Sequence, residues 1–221
     1  MGNIKHLKKI EKLTWFIFVM IFSILSITQI SCSHKPSNDA YTYPIKLGMP
    51  AWKILGSLEA IFNACQIPKS TLQKMSTTGL VETVLNYPLL FNYRAYNDPQ
   101  QGFDVLVANF NGLQELFSRK DAGTELLARY RIIDPLAFKD DLTDVEKVSY
   151  GWNISNIEML LSQEPILTNL TKIQCQELVK EAMTKYGENI ELQNFVGTGA
   201  FTNDVTLDEI LAQAQRYLSA K

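Results

Sequence analysis

Asp98-Pro-Gln-Gln-Gly-Phe-Asp-Val-Leu-Val-Ala-Asn-Phe-Asn-Gly-Leu-Gln-Glu-Leu-Phe117 is the stretch whose reading decides the fold. Asp98 suits a helix N-cap, Pro99 the first helical position, and Gln101 completes a capping-box spacing. Phe103, Leu106, Val107, Phe110, Leu113 and Phe117 then recur at threes and fours. That period belongs to one face of a helix, so a single helix is expected through Phe117.

The same period extends in both directions. Toward the N-terminus, Trp52, Leu55, Ala60, Ile61 and Ala64 predict a helix from Pro50 to about Cys65, and Pro68 opens a short one holding Leu72 and Met75. Thr77 or Thr78 then caps a helix with Leu80, Val81, Val84 and Leu85 on its apolar face, ending before Pro88. Toward the C-terminus, Arg119 to Asp121 is a polar corner, with Asp121 helping to cap a helix that carries Leu126, Leu127, Tyr130 and Ile133. Further helices are expected from about Thr143 to Gln163 and from Leu170 to Tyr186, the second capped by Gly187. Gly187 to Val205 fits helix or loop, and Thr206 with Glu209 caps a last helix through Leu218.

No segment alternates with a period of two beside hairpin turn signals, so the fold class is all-α. Three segments closing on Tyr87, Tyr130 and Tyr186 repeat a helix, corner, helix order. The expected arrangement is therefore stacked antiparallel helix pairs, a HEAT-like α-α superhelix, with a compact helical bundle as the alternative.

The first 31 residues follow a different logic. Lys5, Lys8, Lys9 and Lys12 precede an apolar run from Trp15 to Ile27, and Ser31-Cys32 closes it. This order is that of a secretory signal. It resembles the signal of bacterial lipoproteins, from which only Gln29 departs, an aliphatic residue being usual three positions before the cysteine. The resemblance implies removal of residues 1–31, attachment of lipid such as palmitate to Cys32, and a place in the bacterial cell envelope outside the cytoplasm. The competing reading is an uncleaved anchor, Thr14 to Ser31 being near the minimum for a bilayer span. Residues 32–47 are expected to form a flexible tether with a short extended piece near Tyr41 to Pro44, and residues 48–221 the helical domain. Within that domain, Leu80-Val-Glu-Thr-Val-Leu-Asn-Tyr-Pro88 is similar to a segment of uncharacterised secreted helical proteins of bacteria, a resemblance that implies no activity.

Composition narrows the chemistry. The whole chain has a formal charge of −2. Removal of residues 1–31 takes four lysines and one glutamate, leaving −5. Such a surface repels phosphate backbones, which argues against nucleic-acid binding. The two histidines are His6 and His34, both outside the helical domain. A domain without histidine has no Ser-His-Asp or Cys-His relay and no His-ligated metal, and no cofactor is expected. Cys65 and Cys175 lie in helical patterns and read as buried hydrophobes, a disulfide between them being the alternative.

The candidate ligand-binding group is Tyr93, Arg94, Tyr96 and Asn97 in the aromatic stretch from Tyr87 to Asp98, since tyrosine and arginine favour contact surfaces. The plainer reading is that these rings seal the end of the core, their hydroxyls facing water. Asp140, Asp141, Asp144 and Glu146 lack the spacing of a calcium loop and suit the start of a helix. Gly197-Thr-Gly199 lacks the rest of a phosphate loop. The expected function is a non-catalytic binding or scaffold module for an envelope protein, peptide or glycan, held to the membrane through Cys32. The alternative is a glycan-cleaving enzyme using carboxylates among Asp98, Asp104, Asp140, Asp141 and Asp144.

Overall fold

Proline, glycine and capping residues divide the described chain into short helices. The structure, a computed structural model, describes residues 37, 39–134 and 144–196, and the side chains of these apart from 144–152 and 186–196. The helices are α1 (Pro50–Ile54), α2 (Leu58–Ala64), α3 (Lys69–Leu72), α4 (Thr77–Leu85), a 3-10 helix η1 (Leu90–Ala95), α5 (Pro99–Asn109), α6 (Asn111–Ser118), α7 (Ala122–Arg131), α8 (Asp144–Leu161), α9 (Glu164–Leu167) and α10 (Lys172–Val196). Among the described residues there is no strand, so the fold is all-α.

Several boundaries follow the local signals. Asp98 Oδ1 accepts from the amides of Gln100 and Gln101 at 2.8 and 3.4 Å and starts α5 behind Pro99. Ser76, one residue before the expected cap, starts α4 by accepting from Gly79 N at 3.0 Å. Leu80, Val81 and Val84 are buried on α4 as the apolar face requires, and Leu72 and Met75 are buried after Pro68.

Three boundaries differ from expectation, each for a physical reason. The helix expected from Pro50 to Cys65 breaks between α1 and α2. Gly56 turns the chain at φ +68°, a region open to glycine, and Ser57 accepts from Ala60 N at 3.1 Å to restart the helix. The helix expected through Phe117 is interrupted at Phe110, which is extended at φ −131° and ψ 115°. There Gln66 donates to Asn109 O at 2.7 Å and accepts from Asn111 N at 3.1 Å. Asn111 in turn accepts from Ile67 N at 3.0 Å and donates to Ile67 O at 2.8 Å. These bonds satisfy backbone groups that a helix break would otherwise leave open. They also let the Phe110 ring stack on Tyr87 at 3.8 Å. Finally, α10 continues through Gly187 to Val196; a glycine inside a helix costs only about 1 kcal/mol, too little to end one alone.

α4 touches α6, α7 and α8, while α8 touches α4, α7, α9 and η1. In a linear stack each pair meets only its neighbours. Contacts from α4 and η1 across to α8 therefore do not confirm the stacked-pair order. The core is one cluster running from Tyr43 through Phe103, Leu126 and Ile157 to Leu178.

The N-terminal approach to this core is partly docked. Within residues 32–47, Asp39 Oδ2 accepts from Ser76 N at 2.7 Å, Tyr41 N donates to Thr83 Oγ1 at 2.8 Å, and the buried Tyr43 donates its hydroxyl to Thr83 O at 3.1 Å. The Ser37 hydroxyl and the Ser76 amide hold the Asp39 carboxyl below its ordinary range. Cys65 and Cys175 are both buried. Burial pushes the Cys65 thiol up, which keeps it neutral.

Candidate functional site

An amphipathic helix buries one face, but the last two turns of α8, from Ile154, and the turn after it are buried on every side. Ile154, Ile157, Met159, Leu160 and Leu161 are buried, and so are Ser155, Asn156, Glu158, Ser162 and Gln163. A helix buried all round must satisfy its polar side chains inside the protein. The polar atoms here converge from α7, α8, α10 and η1.

Glu158 is the centre, with 1% of its surface exposed. Tyr130 on α7, itself buried, donates its hydroxyl to Glu158 Oε1 at 2.7 Å. The second oxygen, Oε2, has no hydrogen-bond partner among the described residues, and neither has Asn156 Oδ1. Lys185 on α10 is buried, places Nζ 5.2 Å from the Tyr130 ring centre and donates to Ile133 O. On the η1 side, the Tyr93 hydroxyl donates to Ser155 O at 3.4 Å, and Arg94 Nε donates to the Tyr93 hydroxyl at 3.3 Å. The Arg94 guanidinium lies 5.5 and 5.6 Å from the Phe91 and Tyr93 ring centres.

Gly102 makes the η1 side possible. A Cβ there would lie 2.3 Å from Tyr93 O and 2.8 Å from Tyr93 Cα, so only glycine lets α5 approach this backbone.

The electrostatics oppose one another. Burial pushes the Glu158 carboxyl up to about 7, although the Tyr130 hydrogen bond and the positive charges of Arg94 and Lys185 act to lower it. Desolvation outweighs them because the carboxyl is buried and a single hydrogen bond compensates its charged form. The carboxyl therefore exchanges its proton near neutrality, and it can donate from Oε2 when protonated. That makes it a proton-holding group inside the core.

The expected ligand-binding residues are divided by the fold. Tyr93 is buried and Arg94 half-buried, and both belong to the Glu158 surroundings. Tyr96 and Asn97 are exposed beyond the end of η1. Tyr87 and Tyr93 are buried in the core, their hydroxyls do not face water, and that of Tyr87 has no partner among the described residues. Asp98 is committed to its helix cap, and Asp104 accepts from Gln100 Nε2 at 2.8 Å. Asp121 starts α7 without a side-chain cap and accepts from Thr77 Oγ1 at 2.9 Å. Its neighbour Arg119 donates to Met75 O and Leu72 O at 2.8 and 3.1 Å, closing the end of α3. Cys32, Asp140, Asp141 and Gly197 to Gly199 lie outside the described residues, as do the side chains of Asp144 and Glu146 and the expected helix from Thr206.

Glu158 was not singled out by sequence. The one local hint is a glutamate between Ile157 and Met159 in the most apolar turn of α8, a position where a charged residue needs a partner. Among the described residues there is no group of three or more His, Cys, Asp or Glu placed to hold a metal, and no helix long and apolar enough to cross a membrane. Comparison with family models, curated proteins and solved structures finds no match, so the functional reading stands on the chain's own residues.

Proposed function

We propose that this chain is a lipid-anchored bacterial envelope protein whose helical domain works without catalysis, as a binding or scaffold module for an envelope protein, peptide or glycan. The observation that carries this reading is the order of four lysines, an apolar run from Trp15 to Ile27, and Cys32. Further support comes from the absence of histidine after His34. The exposed Tyr96 and Asn97, beside the half-buried Arg94, offer the contact surface.

The competing reading, a carboxylate-only glycan-cleaving enzyme, needs two carboxyl groups about 5 to 9.5 Å apart across a cleft. Asp98 and Asp104 are engaged with their own helix, which favours the binding module.

Mass spectrometry of the chain from bacterial envelopes tests the anchor. The expected product begins at a lipid-modified Cys32, and Cys32→Ala abolishes the modification. A chain that keeps residues 1–31 and carries no lipid overturns it. For the module, pulldown from solubilised envelopes is expected to recover a partner that Tyr96→Ala with Asn97→Ala loses. Recovery of nothing above the Cys32→Ala control counts against binding.

A further inference from the structure

Residues 46–58 leave several large aliphatic side chains in the open. Leu47, Met49, Ile54 and Leu58 are 74%, 40%, 82% and 49% exposed, within twelve residues of chain. Helix α1 buries none of its residues; the half-buried Trp52 packs against the core and leaves Ile54 outward. Where such side chains adjoin, an exposed apolar patch marks an interaction surface.

The local charge differs from that of the rest of the chain. From Ala40 to Leu58 there is no carboxylate side chain, whereas Lys46 and Lys53 are both exposed. A net positive, aliphatic segment thus sits on an otherwise acidic protein. Its position along the chain supplies the third argument. Asp39 is fixed to Ser76, and from there the seven residues back to Cys32 span at most about 25 Å. The eight residues forward to Leu47 span at most about 30 Å. The segment thus begins fourteen residues after Cys32, with the chain fixed to the domain midway at Asp39.

We infer that residues 46–58 form a bilayer-contacting surface. Leu47, Met49, Ile54 and Leu58 enter the boundary between headgroups and acyl chains, and Lys46 and Lys53 meet anionic phospholipid headgroups. Such a contact combines apolar burial with attraction to negative lipid, and it supplies the second signal that a lipid chain needs for stable attachment. The inference rests on the anchored-lipoprotein reading. It adds that the domain lies against the bilayer instead of hanging free from it.

The test uses the full chain, processed in cells and reconstituted into vesicles of phosphatidylethanolamine and phosphatidylglycerol. An environment-sensitive dye is placed on Ile54→Cys, Cys65 and Cys175 being buried. The expected result is blue-shifted emission that is quenched by phospholipid spin-labelled high on the acyl chain. Quenching should fall severalfold when Leu47→Glu and Leu58→Glu are added, or when phosphatidylglycerol is omitted. The same dye on the exposed Lys172→Cys should stay unquenched. Water-like, unquenched emission at position 54 in vesicles that carry the protein overturns the inference, as does equal quenching at position 172. Blue-shifted emission without lipid quenching also overturns it and assigns the face to a second copy or to the chain's own residues. The wild-type chain provides the separate check on anchoring. It takes dye at Cys32 only if that sulfur is free of lipid, which sinks the anchor while quenching at position 54, read as the difference from wild type, still decides the surface.

Discussion

The C-terminal half of α8 and the segment 46–58 are inverted images of each other. In the first, Glu158, Asn156 and Ser155 are buried among aliphatics; in the second, Leu47, Ile54 and Leu58 stand in the open. Both arrangements carry a free-energy cost, and the two costs differ in kind. Burying a carboxyl must be offset by hydrogen bonds and charges from several helices. Exposing aliphatics costs little within the folded domain, because those side chains are exposed in the unfolded chain as well. The first arrangement is thus tied to the stability of the fold, and the second is held in reserve for whatever covers it.

The sharpest contrast sets a truncation in the core that α8 joins against one in the exposed segment. Phe103→Ala, in the core beside Tyr93, should lower unfolding free energy by about 3 to 5 kcal/mol. Ile54→Ala should change it by less than about 0.5 kcal/mol. Urea unfolding measures both, and a large loss at Ile54 would break the comparison by showing that α1 belongs to the cooperative core.

The second prediction concerns pH. Glu158 has an ordinary value of 4.5 and is raised to about 7 in the fold. Between those values the native protein holds a proton that the unfolded chain has released. Its contribution to stability is therefore full below about pH 4.5 and declines as pH rises through 7, by roughly 3 kcal/mol in all. Glu158→Gln keeps the shape and the acceptor for Tyr130 but cannot ionise. Urea midpoints across pH 4 to 9 should show a fall in the wild type between about pH 4.5 and 7 that the variant lacks. Parallel curves for the two proteins would remove Glu158 as a titrating group.

Two smaller effects separate packing from backbone geometry. Gly102→Ala drives a Cβ into the Tyr93 backbone, an overpacking worth about 1 to 3 kcal/mol. Near-ultraviolet circular dichroism should report the displaced tyrosine, and an unchanged spectrum with unchanged stability would argue that η1 gives way freely. At the other region, Gly56→Ala meets Ile54 O only at an ordinary contact distance of 3.7 Å but keeps a left-handed φ, at a cost of about 1 kcal/mol. Thermal unfolding should register that loss, whereas no change would mean that α1 does not depend on this turn.

Much of the helical layout is legible locally. Asp98-Pro99 starts α5, Pro68 precedes α3, and the spacing of Leu80, Val81 and Val84 marks the buried face of α4. These signals act over three or four residues, and a helix cap or a proline works the same way in any context. The interruption at Phe110 was not legible, because the groups that stabilise it, Gln66 and Ile67, come from more than forty residues away. In periodicity alone, Phe103 to Phe117 is one unbroken face. The candidate site was half legible: Tyr93 and Arg94 stood out as an aromatic and cationic pair, but the carboxyl that the Arg94 charge favours is a lone glutamate on a helix whose polar residues look solvent-facing.

The sequence by itself determined that the chain is all-α, where most of its helices begin, and that its first 32 residues follow a different plan from the rest. Each of these depends on neighbours along the chain, through backbone hydrogen bonding and side-chain period. Only the tertiary structure decided that Glu158 is buried against Tyr130, with the charges of Lys185 and Arg94 acting on it, and that Ile54 is left bare. Burial is set by which helices surround a position, and desolvation shifts a carboxyl only once water has been excluded from all sides.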